Sequence, residues 1–292
     1  MFPIKRKAKL AENIYLLEVY APRVAKSSKP GQFVIVRVGE EGERIPLTIS
    51  DYNEQEGTVT IVIQIVGYSS QKICDLEQGD SLTDFVGPLG NPSEFVYENI
   101  EELKNKKILF VAGGLGTAPV YPQVKWLCQQ GVKADVIIGA KTKDMLIYVD
   151  EMSQVAGNVY VATDDGSCGF KGLVTQKIDD LIQNEGKNYD VVVAIGPMVM
   201  MKFVAATTLK YNIKTIVSLN MLMVDGTGMC GACRVSVGGK IYFTCVDGPE
   251  FDGHQVDYDE AIRRQSMYKT LESRKLKAAK ERAEGHICRV GF

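Results

Sequence analysis

The chain has 292 residues, 45% of them apolar and 24% charged; 34 Lys and Arg stand against 36 Asp and Glu, for a net charge of −2. That length predicts two domains with a small appendage, and the near-neutral balance leaves no field to draw nucleic acid or an anionic membrane. The longest uncharged apolar stretch, residues 191–201, is too short to span a bilayer and is broken by Gly196 and Pro197, and basic residues 1–9 lead into no apolar run, so neither a membrane span nor a signal peptide is expected.

In chain order, residues 14–20, 32–38, 46–51 and 58–66 are short runs rich in Val, Ile and Tyr, separated by turn clusters at 29–31, 39–42 and 53–57. Strands at this spacing predict a small antiparallel β barrel. A short helix is expected over 71–76, then a strand ending at residues 87–90. The charged stretch 101–106 marks a boundary. Beyond it, expected strands at 107–112, 134–139, 158–163 and 190–195 alternate with helices at 119–130, 174–184 and 198–209. This α/β rhythm predicts a doubly wound parallel sheet. Residues 220–250 are rich in Gly and Cys and too few to hold a core unaided. Residues 259–284, with eight basic and five acidic side chains, read as a charged helix. The expected domains are therefore 1–99, 100–219, 220–250 and a helical extension over 251–292.

Two histidines, His254 and His286, are read as surface residues and argue against histidine-based catalysis. Seven cysteines, an odd count with three between 230 and 245, argue against a secreted disulfide scaffold. They point to metal binding in a reducing compartment, the cytoplasm. Asp225, Cys230, Cys233 and Cys245 are spaced Asp-x4-Cys-x2-Cys-x11-Cys. Plant-type [2Fe–2S] sites use Cys-x4-Cys-x2-Cys with a distal fourth cysteine, and Asp225 stands where the first thiolate would. Gly226, Gly228 and Gly231 allow the positive φ that a tight loop around two irons needs. Cys245 is expected on a strand. A structural zinc held by the same four side chains and a set of free buried thiols are the other readings. Zinc sites usually show two CxxC-like knuckles, and one is present. Cys74 and Cys128 read as small core residues, Cys168 as a neutral loop residue, Cys288 as a terminal contact, and Met198, Met200 and Met201 as core packing.

Gly113-Gly114-Leu115-Gly116-Thr117 joins a strand to a helix, where glycines permit a pyrophosphate to approach backbone amides. It lacks the GxGxxG spacing, and a merely Gly-rich turn explains it equally well. Two further loops at strand ends, Asp164-Asp165-Gly166 and Gly196-Pro197, favour a nucleotide crevice. In the barrel, Arg44, Pro46, Leu47 and Thr48 sit on a strand, and Gln64, Gly67, Ser69 and Ser70 lead from a strand into a helix. By chemistry alone that helix start is an N-cap before it is a phosphate seat. Asp164 and Asp165 would repel a 2′-phosphate, which favours NAD(H); Lys141 and Lys143 keep NADP(H) open.

This combination resembles the ferredoxin-NADP reductase superfamily, over about residues 5–250. Within it the chain is similar to the electron-transfer subunits of dihydroorotate dehydrogenase. It is more similar still to the small subunits of the NADH-dependent ferredoxin:NADP oxidoreductase type, through Asp225 and the long C-terminal segment. The resemblance implies FAD on Arg44, Pro46, Leu47, Thr48, Gln64, Gly67, Ser69 and Ser70. It implies NAD(H) on Gly113, Gly114, Gly116, Thr117, Gly196 and Pro197, beside the strand-end loop Asp164, Asp165 and Gly166 read from the residues, and a [2Fe–2S] cluster on Asp225, Cys230, Cys233 and Cys245. Relatives carry an Arg directly before the Pro of the barrel motif, where this chain has Ile45, and many carry a Cys before Gly-Pro, where it has Ile195. The resemblance also implies a larger partner subunit with its own flavin and [4Fe–4S] clusters, reaching ferredoxin through that subunit, with the C-terminal segment as the gripping arm; the residues alone equally suit a solvated helix that covers the cluster loop. The implied activity is an NAD(P)H-dependent flavoprotein iron–sulfur oxidoreductase. Electron transfer to dihydroorotate dehydrogenase is the alternative, and a zinc-stabilised nucleotide-binding module is the alternative of another class.

Overall fold

The structure is a computed structural model that describes residues 1–267, 270 and 274. His286, Cys288 and the distal part of the expected helix 259–284 lie outside the described residues. The barrel comprises β1 (Phe2–Ala11), β2 (Ile14–Tyr20), α1 (Pro22–Ser27), β3 (Phe33–Arg37), β4 (Ile45–Asn53), β5 (Thr58–Gln64), α2 (Tyr68–Cys74), β6 (Ser81–Leu82) and β7 (Asp84–Leu89). Its strands run β6-β1-β2-β5-β4-β3-β7, every neighbouring pair antiparallel. The two end strands follow one another in the chain, so the sheet curls into a nearly closed barrel. Strand β1 lies where the basic residues 5–9 raised no expectation of one. Lys5, Arg6 and Lys9 are exposed there, and Ile4 alone is buried, so its alternation is hidden by charge.

Strand β2 is apolar on both faces. Leu17 and Val19 fill the barrel with Val34, Val36 and Ile61. Ile14 and Leu16, with Val62 of β5, pack outward against Ala118, Ile147 and Tyr148 of the second unit. Lys125 Nζ also reaches both carboxylate oxygens of Asp51, each at 2.8 Å, across this seam.

The second unit contains α3 (Ile100–Asn105), β8 (Ile108–Gly113), α4 (Thr117–Gln129), β9 (Asp135–Ala140), α5 (Val149–Val155), β10 (Val159–Thr163), β11 (Phe170–Lys171), α6 (Val174–Gln183), β12 (Val191–Ile195), α7 (Met198–Leu209) and β13 (Lys214–Ser218). Strands β8 and β12 are buried at every position, as a parallel sheet covered on both faces requires. The order is β11-β10-β9-β8-β12-β13-β16, with β16 (Glu250–Asp252) antiparallel to β13 and the rest parallel. The order reverses between β8 and β12, so the carboxyl ends of these strands form a topological switch point, where open α/β sheets bind ligands.

Between β13 and β16 the chain makes a hairpin, β14 (Arg234–Val237) and β15 (Lys240–Phe243), and one helical turn, α8 (Thr244–Asp247). Cys245 therefore sits on α8, not on a strand: Thr244 Oγ1 donates to Cys233 O at 2.9 Å and turns the backbone inward. This segment has no core of its own. Cys233, Val235, Val237 and Cys245 share a buried cluster with Phe33, Ile35 and Leu219. Helix α9 (Tyr258–Gln265) follows. His254 is half-buried rather than a surface residue, its Nε2 lying 3.2 Å from Thr208 Oγ1. Among the described residues, no helix is long and apolar enough to cross a membrane.

Glu250 lies where the barrel, α4 and β16 meet. Gln123 Nε2 donates to its Oε1 at 2.8 Å, while Glu250 Oε2, Gln123 Oε1 and Ser93 Oγ are buried with no hydrogen-bond partner among the described residues. Burial pushes the carboxyl up to about 7. The folded chain then keeps a proton that the unfolded chain, with a carboxyl near 4.3, has lost. Stability contributed by this group is full below that unfolded value and is lost as pH rises through about 7. Glu250→Gln should flatten the fall in Tm between about pH 5 and pH 8 and add roughly 2–3 kcal/mol at the upper end. Parallel Tm profiles for parent and variant would mean that Glu250 titrates at the same pH in the folded and unfolded chains, with no shift on burial.

Candidate functional site

A cavity of about 970 Å3 opens at the switch point and runs to the barrel wall. Pro46, Leu47, Thr48 and Gln64 line its barrel side, joined by Phe33. Gly113, Gly114, Gly116, Gly196 and Pro197 line it at the carboxyl ends of β8 and β12, and Asp164 lines it beside Lys141. The two glycine loops are pressed together. A Cβ on Gly116 would stand 2.1 Å from Ile195 O, and one on Gly196 would stand 3.1 Å from Gly113 Cα. The glycines are there because backbone meets backbone.

Other expected residues stand outside the cavity wall. Thr117 is fully buried, and its hydroxyl donates to Gly114 O at 2.9 Å, so it braces the loop from behind. Asp165 accepts from Ser167 N and Oγ at 2.9 and 2.7 Å, which hold its carboxyl below the usual range, and Gly166 completes that turn at φ +78°. Ser70 Oγ accepts from Val66 N and Gly67 N at 2.9 and 3.0 Å, closing the start of α2 on itself. Ser69 Oγ donates to Glu43. Arg44 bridges instead to the cluster segment: its Nε donates to Val224 O at 3.3 Å, and its Nη1 lies 3.6 Å from Asp84.

The four expected ligands come together as two adjoining pairs. Cys230 Sγ lies 3.2 Å from Asp225 Oδ1, and Cys233 Sγ lies 3.3 Å from Cys245 Sγ. Asp225 and Cys230 face outward, whereas Cys233 and Cys245 are 1% and 2% exposed. Among the described residues, no three His, Cys, Asp or Glu side chains converge on a single ion. Gly226, Gly228 and Gly231 all take positive φ, at +77°, +85° and +65°. Burial opposes ionisation of Asp225, but donation from Cys230, Thr227 and Met229 outweighs it and brings the carboxyl to about 2. Burial and the adjacent Cys233 push the Cys245 thiol up to about 12, so metal loading must displace its proton. Two thiols and a carboxylate on a glycine loop, joined by Cys245 from α8, half inside and half at the surface, suit a small iron–sulfur cluster that exchanges electrons outward.

Three further groups of lining residues carried no signal in the sequence. Ser218, Leu219, Asn220 and Met223 connect β13 to Asp225 while lining the cavity, and Pro249 and the α9 residues Ile262 and Gln265 close its far side. Only tertiary contact brings them there.

Residues 220–257 match the model of the iron–sulfur cluster binding domain of dihydroorotate dehydrogenase B, and residues 110–206 match that of the oxidoreductase NAD-binding domain. The chain is 57% identical to an uncharacterized protein in the adh 3′ region of Clostridium beijerinckii, covering 98% of this chain and 96% of that one. It is 45% identical to the dihydroorotate dehydrogenase B (NAD(+)) electron transfer subunit homolog of Thermotoga maritima, covering 92% of each. A solved structure of an NADH-dependent reduced ferredoxin-NADP oxidoreductase superposes with a TM-score of 0.85 at 42% identity, over 94% of this chain and 97% of that one. The chain thus belongs to the dihydroorotate dehydrogenase B-type electron-transfer-subunit family of oxidoreductases, with a ferredoxin reductase-like fold, an NAD-binding domain and an iron–sulfur domain.

Proposed function

We propose that this chain is the subunit that exchanges electrons between NAD(H), FAD and a [2Fe–2S] cluster, to or from a larger flavin and [4Fe–4S] partner, as in the NADH-dependent ferredoxin-NADP oxidoreductase. The observation that carries the reading is the continuity of cavity and cluster loop through β3. Phe33 lines the cavity, and Ile35, two residues on and on the same face, lies against the loop, 3.1 Å from where a Gly226 Cβ would stand. Two residues of strand span about 7 Å. Flavin bridges the two-electron chemistry of nicotinamide and the one-electron chemistry of an iron–sulfur centre.

In this reading the chain positions and excludes rather than transferring protons. Pro46, Leu47, Thr48 and Gln64 hold the flavin edge, and Gly67, Ser69 and Ser70, outside the cavity wall, shape the turn into α2 behind the flavin edge. Gly113, Gly114 and Gly116 admit the dinucleotide pyrophosphate, with Thr117 bracing the loop. Gly196 and Pro197 bound the nicotinamide end. Asp164, with Asp165 behind it, disfavours a 2′-phosphate, so NADH is preferred. Asp225, Cys230, Cys233 and Cys245 hold the cluster.

Isolated protein should show flavin peaks over broad iron–sulfur absorbance, bleached by NADH; a colourless protein sinks the reading. Asp164→Ser should raise kcat/KM for NADPH about tenfold relative to NADH, since removing a like-charge contact is worth about 1.4 kcal/mol or more. An unchanged ratio removes Asp164 as the discriminator. A second reading, service to a dihydroorotate dehydrogenase, is favoured by the matched iron–sulfur model. Co-purification separates the two: a partner that oxidises dihydroorotate supports the second, and one that links ferredoxin to NADP supports the first.

A further inference from the structure

Helix α9 ties three parts of the molecule together. At its start Lys202 Nζ of α7 lies 2.7 Å from Asp259 Oδ1, and Tyr258 and Ala261 are buried beneath it. At its end Gln265 Nε2 donates to Asn220 O, where the chain leaves β13 for the cluster loop. Between these anchors Arg264 Nη2 donates to Ala232 O at 3.1 Å. Ala232 stands between Cys230 and Cys233 and directly precedes the most deeply buried thiol of the set. Arg264 Nε is also buried, with no hydrogen-bond partner among the described residues.

We propose that Arg264 is a positioning residue for the iron–sulfur centre, clamping its loop at Ala232 and setting its reduction potential with the guanidinium charge. The proposal rests on the cluster reading above. The ligand set, three thiolates and a carboxylate, carries concentrated negative charge when loaded, and the cation beside it comes from an element outside the loop. Leaving an N–H of a cation buried and unpaired is costly. Sulfide and thiolate sulfur are the acceptors that a loaded loop would add, and hydrogen bonds and charge near the sulfurs are what set the potential of such centres. Reduction adds an electron, so a nearby cation favours the reduced form. A flexible lysine keeps the charge but lacks the planar fork of donors.

The test uses the full chain with its cofactors loaded, in the parent, R264K and R264Q. Three readouts are followed: the midpoint potential of the centre by electron paramagnetic resonance, its spectral shape, and the rate at which a chelator removes iron. R264Q should lower the reduced-to-oxidised ratio at a fixed poise about tenfold, which is about 59 mV for a one-electron centre. R264K should hold the parental potential and yet lose iron several-fold faster, because the clamp is gone while the charge remains. Parental potential and parental iron release in both variants overturn the proposal. If R264Q cannot be isolated with its centre, iron release from R264K decides: an unchanged rate overturns the clamp. A parent protein without any iron–sulfur signal overturns the cluster reading itself, a different result from a loaded parent whose variants are unaltered.

Discussion

Cys233→Ala is expected to remove the iron–sulfur absorbance completely while leaving the flavin spectrum and its reduction by NADH in place. The residue is 1% exposed, its Sγ lies 3.3 Å from that of Cys245, and its side chain belongs to the buried cluster beneath the hairpin. Alanine keeps the β-carbon and the packing but takes away one of the two buried thiols proposed as inner ligands. One-electron transfer to the partner should then fall to background, whereas two-electron dye reduction by NADH continues. Asp225→Cys is the informative companion. It restores the all-thiolate pattern at a half-exposed position without disturbing the three glycines. The cluster should survive, with a midpoint moved by some tens of millivolts; about 59 mV is a tenfold change for a one-electron centre. An intact spectrum with an unmoved midpoint would remove Asp225 from the ligand set, and absorbance surviving in Cys233→Ala would remove Cys233.

Gly116→Ala carries the other large effect. Its new Cβ would stand 2.1 Å from Ile195 O and 3.0 Å from Gly196 Cα, and both obstacles are backbone, so no rotamer change relieves them. The β8 and β12 loops must part. A displacement of about 1 Å at a binding crevice can cost roughly a hundredfold, and kcat/KM for NADH should fall on that order. Overpacking should cost a further ~1–3 kcal/mol of stability. The iron–sulfur spectrum, arising from a loop on a different segment, should be unchanged. Wild-type kcat/KM in this variant would mean that the two loops do not form the dinucleotide seat.

The elements most legible in the sequence were those whose burial is uniform. The continuous apolar runs of β8 and β12 announced strands covered on both faces, and helix α7 begins and ends where the pattern placed it, at Met198 and Leu209. Elements whose burial is partial were obscured. Charges at residues 5–9 masked β1, and β13 carries an exposed Lys214 at its start. Cys245 reads in sequence as a strand residue, but Thr244 bonds back to Cys233 O and turns the chain into α8. In the candidate site, the glycine loops and the four spaced candidate ligands were visible because each set lies within one stretch of chain. Arg44 was not readable as a bridge to Val224, 180 residues away, nor Glu250 as a buried acid at a junction of three elements.

The sequence by itself determined the barrel, the α/β unit, the two glycine loops and the ligand spacing. Each is a local matter of period, turn chemistry and backbone permission. Only the tertiary structure decided which of these share a cavity, that β3 runs from that cavity to the cluster loop, and that α9 returns to grip the loop through Arg264. Those relations depend on packing between residues far apart in the chain, where no periodicity reaches and burial alone sets the geometry.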